Sequence, residues 1–597
     1  MDSAPRIAAL RHVMSQQGIA AVIVPSADPH LSEYLPERWK GRKWLTGFRG
    51  SVGTLVVTAD FAGLWTDSRY FEQAERDLAG GPVQLMRLRI AHTPEHVDWL
   101  VEHLPAGASV AMPGDVLGLA AREQMLERFK GKQIQLRTDL DLLDAAWPDR
   151  PALPEASVRE HAPAFAIASR AERLARVRGA VRAHDATHHL VSALDDIAWI
   201  TALRGNDIPY NPVFLAHMLI GPDRATLFIT PGKIPPALAA RLSSDGIDLA
   251  PYGEVTRALK ELPEKSALLL DARRVVCALV DALPAGVQCV ETTNPSQRFK
   301  ALKTEPELDQ VRRTMEKDGV AMVRFLRWLE NALDKGDALT EVSIAEKLQG
   351  YRAAQPDFVS ESFATIAGYE ANGALPHYRA TSAHHAKLER QGLLVLDSGG
   401  QYEGGTTDIT RTLPLGDLTP EQRRDYTLVL QGMIALARAR FPRGTTGQQL
   451  DALARAPIWA EGVNYGHGTG HGVGYFLNVH EGPQSIRPAL PGETGAALEA
   501  GMITSNEPGI YRPGRHGVRI ENLIATVPAG RSEFGDFLSF ETLTLCPIDV
   551  RPLERERLRR DEIDWLNGYH RTVNERLGPS LNVDERAWLQ QRCAPLA

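Results

Sequence analysis

The sequence predicts two tandem α/β domains followed by a larger α+β domain. Three observations lead there. A chain of 597 residues exceeds what one hydrophobic core supports, so about three domains are expected. The heptapeptide WLTGFRG (Trp44 to Gly50) returns as WITALRG (Trp199 to Gly205), with Trp, Thr, Arg and Gly at matching offsets, which points to a duplicated unit. Beyond residue 303, short apolar runs alternate with glycine-rich turns and helical stretches, the pattern of an α+β domain.

In residues 1–151 an amphipathic helix, Ile7 to Gln17, leads into the apolar strand AAVIVP, and TLVVT and GLWTD supply further strands. The proline-rich AWPDRPALPEA reads as a linker. Residues 152–302 repeat the plan. Each heptapeptide follows a helical region and precedes strands, GTLVVT in the first copy, HMLI and ATLFI in the second. Residues 303–597 open on a helix whose apolar positions Leu308, Val311, Met315, Val320, Val323, Phe325 and Leu326 recur at helical spacing. Two more helical stretches follow, near 421–440 and 447–460.

Composition narrows the function classes. Hydrophobic content of 43% and charged content of 24% are those of a soluble globular protein. A formal net charge of −7 without a Lys/Arg block argues against a nucleic-acid binder built on phosphate contacts. The N-terminus lacks the charged-then-apolar layout of a secretory signal, and no window is apolar enough for a membrane span. Cys277, Cys289, Cys546 and Cys593 form no CxxC pair, which suits a reduced cytoplasmic setting and excludes cysteine-based zinc sites.

The chemistry lies in the third unit. In LLVLDSGGQYEGGTTDITRTL (393–413) two apolar strands flank a glycine-rich loop, a β-hairpin pattern. Asp397 closes the first strand and Asp408 opens the second, so both carboxylates sit near one end. Like charges held that close repel and lose hydration; aspartates turned to solvent are the plain alternative. The arrangement recurs in GMITSNEPGIYRPGRHGVRIENLIATV (501–527), where Glu507 ends one strand and Glu521 is expected inside the next, among Val518, Ile520, Leu523 and Ile524. A carboxylate in so apolar a strand calls for a cation. Between the two stretches, VNYGHGTGHGVGYFLNVHEG (463–482) carries His467, His471 and His480 on a glycine-rich backbone. Four carboxylates with imidazole suit Mn²⁺, Co²⁺, Zn²⁺ or Fe²⁺. That number of acids suits two ions sharing bridging ligands, and such a pair activates water and polarises a carbonyl.

These residues carry a resemblance to the pita-bread metallopeptidases, and the whole chain is similar to the three-domain, cytosolic type of aminopeptidase P. The matching stretches are VPSADPHLSEY, WLTGFRGSVGT, LWTDSRYF, LDDIAWITALRGNDIPYNPVF, LDSGGQYEGGTTDITRT, GHGTGHGVGYFLNVHEGP, NEPGIY, VRIEN and IDWLNGYH. The resemblance implies two creatinase-like N-terminal domains (1–151 and 152–302) and a pita-bread catalytic domain with a C-terminal extension (303–597). It implies Asp397, Asp408, His471, Glu507 and Glu521 as ligands of two divalent ions, Mn²⁺ first, with Co²⁺ or Zn²⁺ as alternatives. Asp408 and Glu521 would bridge the pair, and His471 would share one ion with Glu507. His377 (in ALPHYRA) and His480 (in NVHEG) match catalytic histidines that bond the scissile carbonyl or pass a proton to the leaving proline nitrogen. Arg69 and His467, with Tyr511 and Arg519, complete the substrate-side set. ALPHYRA departs from the more usual apolar-His-Tyr-x-Pro form.

The resemblance further implies removal of the first residue from short peptides with proline second, through attack by a metal-bridging hydroxide. It also implies a cytoplasmic homodimer, with no nucleic-acid or membrane partner. A prolidase restricted to Xaa-Pro dipeptides is the nearest rival, and the tandem N-terminal domains weigh against it. A metal-free peptide-binding protein on the same fold, or a metal-free creatinase-like hydrolase, is the rival of another class. The complete ligand set weighs against both.

Overall fold

The duplication read from the heptapeptide is present in the strand order. The computed structural model describes residues 3–90, 93–489 and 494–597, which form two compact units, 1–161 with 168–296, and 162–167 with 297–597. In the first unit, one six-stranded sheet runs Gln84–Arg87, Ala62–Thr66, Thr54–Thr58, Ala21–Val24, Ser109–Ala111, Gln135–Arg137. The other runs Ile247–Pro251, Ala225–Ile229, Ala216–Ile220, His188–Val191, Ala267–Leu270, Gln288–Glu291. Pairing is parallel, antiparallel, antiparallel, parallel, parallel across both. The heptapeptides sit at matching places, at the C-terminal ends of the helices Gly41–Thr46 and Leu194–Thr201. There Thr46 and Thr201 each donate a hydroxyl hydrogen bond to the carbonyl four residues earlier. The two sheets and their helices share one apolar cluster, with Ile23 and Val56 from the first sheet, Leu190 and Leu268 from the second, and Phe129 and Val255 from flanking helices. That shared burial makes one unit of the two sheets.

In the second unit helices cover the sheets that carry the acids. The helix Glu305–Lys335 begins at a capping box, Thr304 with Glu307, which satisfies free N–H groups of its first turn. It buries Leu308, Val311, Met315, Val320 and Val323 in the main core with Val429 and Met433 of the helix Pro420–Ala437.

Two strand systems lie beneath. A three-stranded sheet joins Ile366–Tyr369, Leu393–Ser398 and Ile409–Pro414, and a six-stranded sheet places Gly470–Gly472 beside Ile503–Asn506, which pairs with Asn522–Ser532. Both expected hairpins are present, each with a smaller hairpin set inside it. Leu393–Ser398 and Ile409–Pro414 enclose the paired strands Gly400–Tyr402 and Gly405–Thr406. Likewise Ile503–Asn506 and Asn522–Ser532 enclose Gly509–Arg512 and His516–Arg519.

One expectation is corrected. Glu521 lies in no strand but in the break between His516–Arg519 and Asn522–Ser532. At that point the chain leaves the inner hairpin for the outer sheet. The Glu521 N–H bonds the Thr410 carbonyl across to the other hairpin (3.1 Å).

Candidate metal centre

Four acids and one imidazole converge where the two nested hairpins meet. Asp397 is the penultimate residue of the first outer strand, its register partner being Thr410. Asp408 and Glu521 each directly precede the second outer strand of their hairpin, and Glu507 directly follows an outer strand. Oxygen atoms of Asp408 and Glu521 and a ring nitrogen of His471 all lie within 4.8 Å of one another. His471 Nε2 is 3.5 Å from Asp408 Oδ2 and 3.5 Å from Glu507 Oε1. The other ring nitrogen, Nδ1, is 3.0 Å from the Gly472 carbonyl. A proton held there leaves the Nε2 lone pair directed at the acids, the tautomer a metal requires.

The glycines of the histidine-rich stretch are needed for backbone contact. A Cβ on Gly470 would lie 2.0 Å from the Ser505 carbonyl oxygen, and one on Gly472 would lie 2.1 Å from that of Glu481. Only bare backbone lets His471 sit between these strands. Ser505 reinforces the placement, accepting the His471 N–H (2.9 Å) and donating to Glu507 (3.1 Å).

The electrostatics are those of a site that lacks enough positive charge. Burial pushes the Asp397 carboxyl up to about 6, against the pull of Arg519. Burial, with Asp408 adding to it, pushes Glu507 up to about 7, and the Glu521 carboxyl stands well above its ordinary range for the same causes. Burial opposes a charged His471 ring, yet Asp408 and Glu507 raise it to about 9. Asp397 Oδ1 and Glu521 Oε1 are buried side-chain atoms without a hydrogen-bond partner. Orphan oxygens, hard donors and an imidazole with a directed lone pair fit divalent cations.

Of the remaining sequence-predicted residues, Arg519 donates to Asp397 Oδ2 (2.6 Å) and to the Tyr511 hydroxyl (2.7 Å), and Tyr511 is 2.8 Å from His467 Nε2. His467, Tyr511, Arg519 and Asp397 thus form one continuous chain. His480 packs edge-on against His471, with ring centroids 4.3 Å apart. The His377 segment meets this chain through the Pro376 carbonyl, 3.4 Å from Arg519 Nη2. Arg69 belongs to the first unit, where its guanidinium makes a two-pronged contact with Asp67 at 2.8 and 2.7 Å.

Some supporting residues escaped sequence reasoning. Thr410 donates its hydroxyl to Glu521 Oε2 (2.8 Å). Buried Arg455 of the helix Gly447–Ala460 donates to the carbonyls of Tyr465 (2.8 Å) and His467 (2.7 Å), fastening the histidine loop. Glu341, fully buried, accepts from the Tyr369 and Ala386 N–H groups and the Tyr378 hydroxyl, clamping the segment that carries His377.

Comparison with known proteins identifies the family. The model of metallopeptidase family M24 matches residues 309–527, and that of the C-terminal region of the same peptidases matches 536–596. Two creatinase/prolidase N-terminal domain models match 6–141 and 149–307. Aminopeptidase P2 of Arabidopsis thaliana is 36% identical, covering 99% of this chain and 88% of its own. Xaa-Pro aminopeptidase 1 of Dictyostelium discoideum is also 36% identical, covering 99% and 96%. Among solved structures, an X-prolyl aminopeptidase from Caenorhabditis elegans, described as a cytosolic enzyme with a di-nuclear active site, superposes with a TM-score of 0.94 at 33% identity over 100% of both chains. The fold is that of a metallopeptidase. The chain belongs to metallopeptidase family M24 and, within it, to the aminopeptidase P group.

Proposed function

We propose that this chain is a two-metal aminopeptidase that hydrolyses the bond between the first residue and a proline at the second position of short peptides. The observation that carries the reading is the convergence of Asp408, His471 and Glu521 within 4.8 Å, with Asp397 and Glu507 completing the set. Asp397, Asp408, His471, Glu507 and Glu521 would hold the ions, with Asp408 and Glu521 shared between them. Oxygen-rich donors favour Mn²⁺, with Co²⁺ or Zn²⁺ as alternatives. Two such ions, when bound, supply Lewis acidity toward the scissile carbonyl and acidify a water.

The chain's own residues do the rest. His480, against His471, and His377 donate hydrogen bonds to the carbonyl oxygen and carry the proton to the proline nitrogen. An amide nitrogen must gain a proton to leave, and these placed donors supply it to the proline nitrogen. Arg519 and Tyr511 hold Asp397 and His467 in place, and Arg69 is assigned to substrate on the strength of LWTDSRYF. The matched segments support domains at 1–151, 152–302 and 303–597. The similarity to a protein described as cytosolic supports a cytoplasmic setting. The homodimer expectation rests on the group alone. Full-length agreement with the X-prolyl aminopeptidase favours an aminopeptidase over a dipeptidase.

The test is cleavage of an Xaa-Pro-Pro peptide by chelator-stripped protein with Mn²⁺ restored. Manganese-dependent release of the first residue, lost in Asp397→Asn, is expected. No release with Mn²⁺, Co²⁺ or Zn²⁺ from folded protein would overturn the reading, and release from Xaa-Pro dipeptides alone would select the prolidase.

A further inference from the structure

Arg411, one residue beyond Thr410, is a fully buried cation whose hydrogen-bond acceptors are all neutral oxygen atoms. Its Nη1 donates to the Glu521 carbonyl (2.6 Å) and the Thr410 carbonyl (2.9 Å). Nη2 donates to Asn522 Oδ1 (2.8 Å), the Cys546 carbonyl (2.9 Å) and the Tyr569 hydroxyl (2.9 Å), and Nε donates to the Pro547 carbonyl (3.1 Å). Half of these acceptors, on Cys546, Pro547 and Tyr569, lie in the C-terminal region. The other half lie on the two hairpins that carry the acids.

Glu521 depends on this guanidinium. Sitting in a strand break, it has no ladder partners of its own. Its N–H goes to the Thr410 carbonyl, its C=O to Arg411, and its carboxylate to the Thr410 hydroxyl. Arg411 also puts a positive charge against the backbone of the acid cluster. A buried cation is tolerated only while its donors are all met, and Tyr569, on the helix Arg560–Leu577, supplies one of the acceptors. The Tyr569 hydroxyl is itself fixed, 2.8 Å from the Cys546 carbonyl.

We propose that Arg411 is a positioning residue for the metal centre and that the C-terminal region, through Tyr569 and the Cys546 and Pro547 carbonyls, is part of the apparatus that sets Glu521. This rests on the two-metal reading above. In that role the C-terminal region is an outer support of the ligands, and outer supports of metal sites change affinity by about 10–100-fold when removed.

The experiment uses the full chain, stripped of metal and titrated with Mn²⁺, with free ion read from its electron paramagnetic resonance signal. Wild type binds two ions. Tyr569→Phe is expected to stay folded and to bind the weaker ion at least about tenfold less tightly. Its kcat at limiting Mn²⁺ falls, recovers when the ion is saturating, and the KM for peptide is unchanged. Arg411→Lys, whose ammonium cannot span these acceptors, is expected to lose more. Variants that melt earlier yet bind Mn²⁺ as wild type does would overturn the proposal, leaving a purely structural arginine. If Arg411→Lys does not fold, Tyr569→Phe alone decides. Failure of wild type itself to bind Mn²⁺ would strike the two-metal reading first, and this proposal with it.

Discussion

Lys303→Met should destabilise the catalytic unit by about 3–5 kcal/mol, the loss expected when one partner of a buried ion pair is removed. Lys303 and Glu481 both have side chains that are 0% exposed, and their charged atoms are 2.5 Å apart. The lysine also donates to the Val473 carbonyl (2.7 Å). Methionine matches the length of the stem but removes the Lys303 charge from the buried Glu481 carboxylate. A unit of about 300 residues unfolds with an entropy of about 0.6 kcal/mol/K, so the expected fall in melting temperature is about 5–8 °C. The assay is thermal unfolding of metal-free protein, comparing wild type, Lys303→Met and the double variant Lys303→Met/Glu481→Leu. The double variant removes both charges and should regain most of the loss. Equal losses in the single and double variants would refute the charge argument and assign the effect to packing.

Three further outcomes are expected. Asp425 is buried, and Arg512 and His516 hold its carboxyl below the ordinary range despite that burial; a depressed carboxylate stabilises above its unfolded pKa and loses this as pH falls through the folded one. Asp425→Asn should therefore cost about 3 kcal/mol at pH 7, with the gap to wild type closing below about pH 4 in denaturant titrations. Gly470→Ala forces a Cβ to within 2.0 Å of the Ser505 carbonyl oxygen, so the His471 strand must shift, and calorimetry should show Mn²⁺ affinity down at least about tenfold. Thr410→Val keeps the side-chain shape but deletes the 2.8 Å hydrogen bond to Glu521; Mn²⁺ affinity should fall by about tenfold with little change in melting temperature, and unchanged binding would show that bond to be idle.

The part of this site legible in the sequence was the part written as pattern. Asp397 and Asp408 stood out as charges at the ends of apolar runs, and His471 as a histidine on a backbone too glycine-rich to be ordinary strand. Glu521 was legible as a residue but not in its setting. Val518, Ile520, Leu523 and Ile524 suggest one strand, while the chain changes sheets there, a step dictated by pairing with Thr410 across the other hairpin. Arg411, Glu341 and Arg455 were not legible at all. Each is a charged residue whose meaning comes from acceptors or donors that the fold gathers: Arg411 bonds Tyr569 from 158 positions away, and Glu341 bonds Ala386 from 45. The N-terminal duplication was visible in one heptapeptide, whereas the identical strand order was not, because sheet order depends on pairings between distant runs.

The nested hairpins explain why the two acids proposed to bridge the ions occupy equivalent places. Asp408 and Glu521 each stand one residue before the second outer strand of their hairpin. A residue inside a paired strand alternates sides under the control of its neighbours, and its backbone groups are committed to the ladder. A residue at the step from inner to outer hairpin is released from both constraints, so its carboxylate can turn toward a shared centre. The release leaves backbone groups that must be paired elsewhere when buried. For Glu521 they are paired with Thr410 and Arg411 of the other hairpin. The contact that closes the two halves on one another is thus the same contact that aims the acid, so the site exists only where both halves have docked. A local change in either hairpin is therefore felt first as a loss of ligand geometry, before the core packed beneath it gives way.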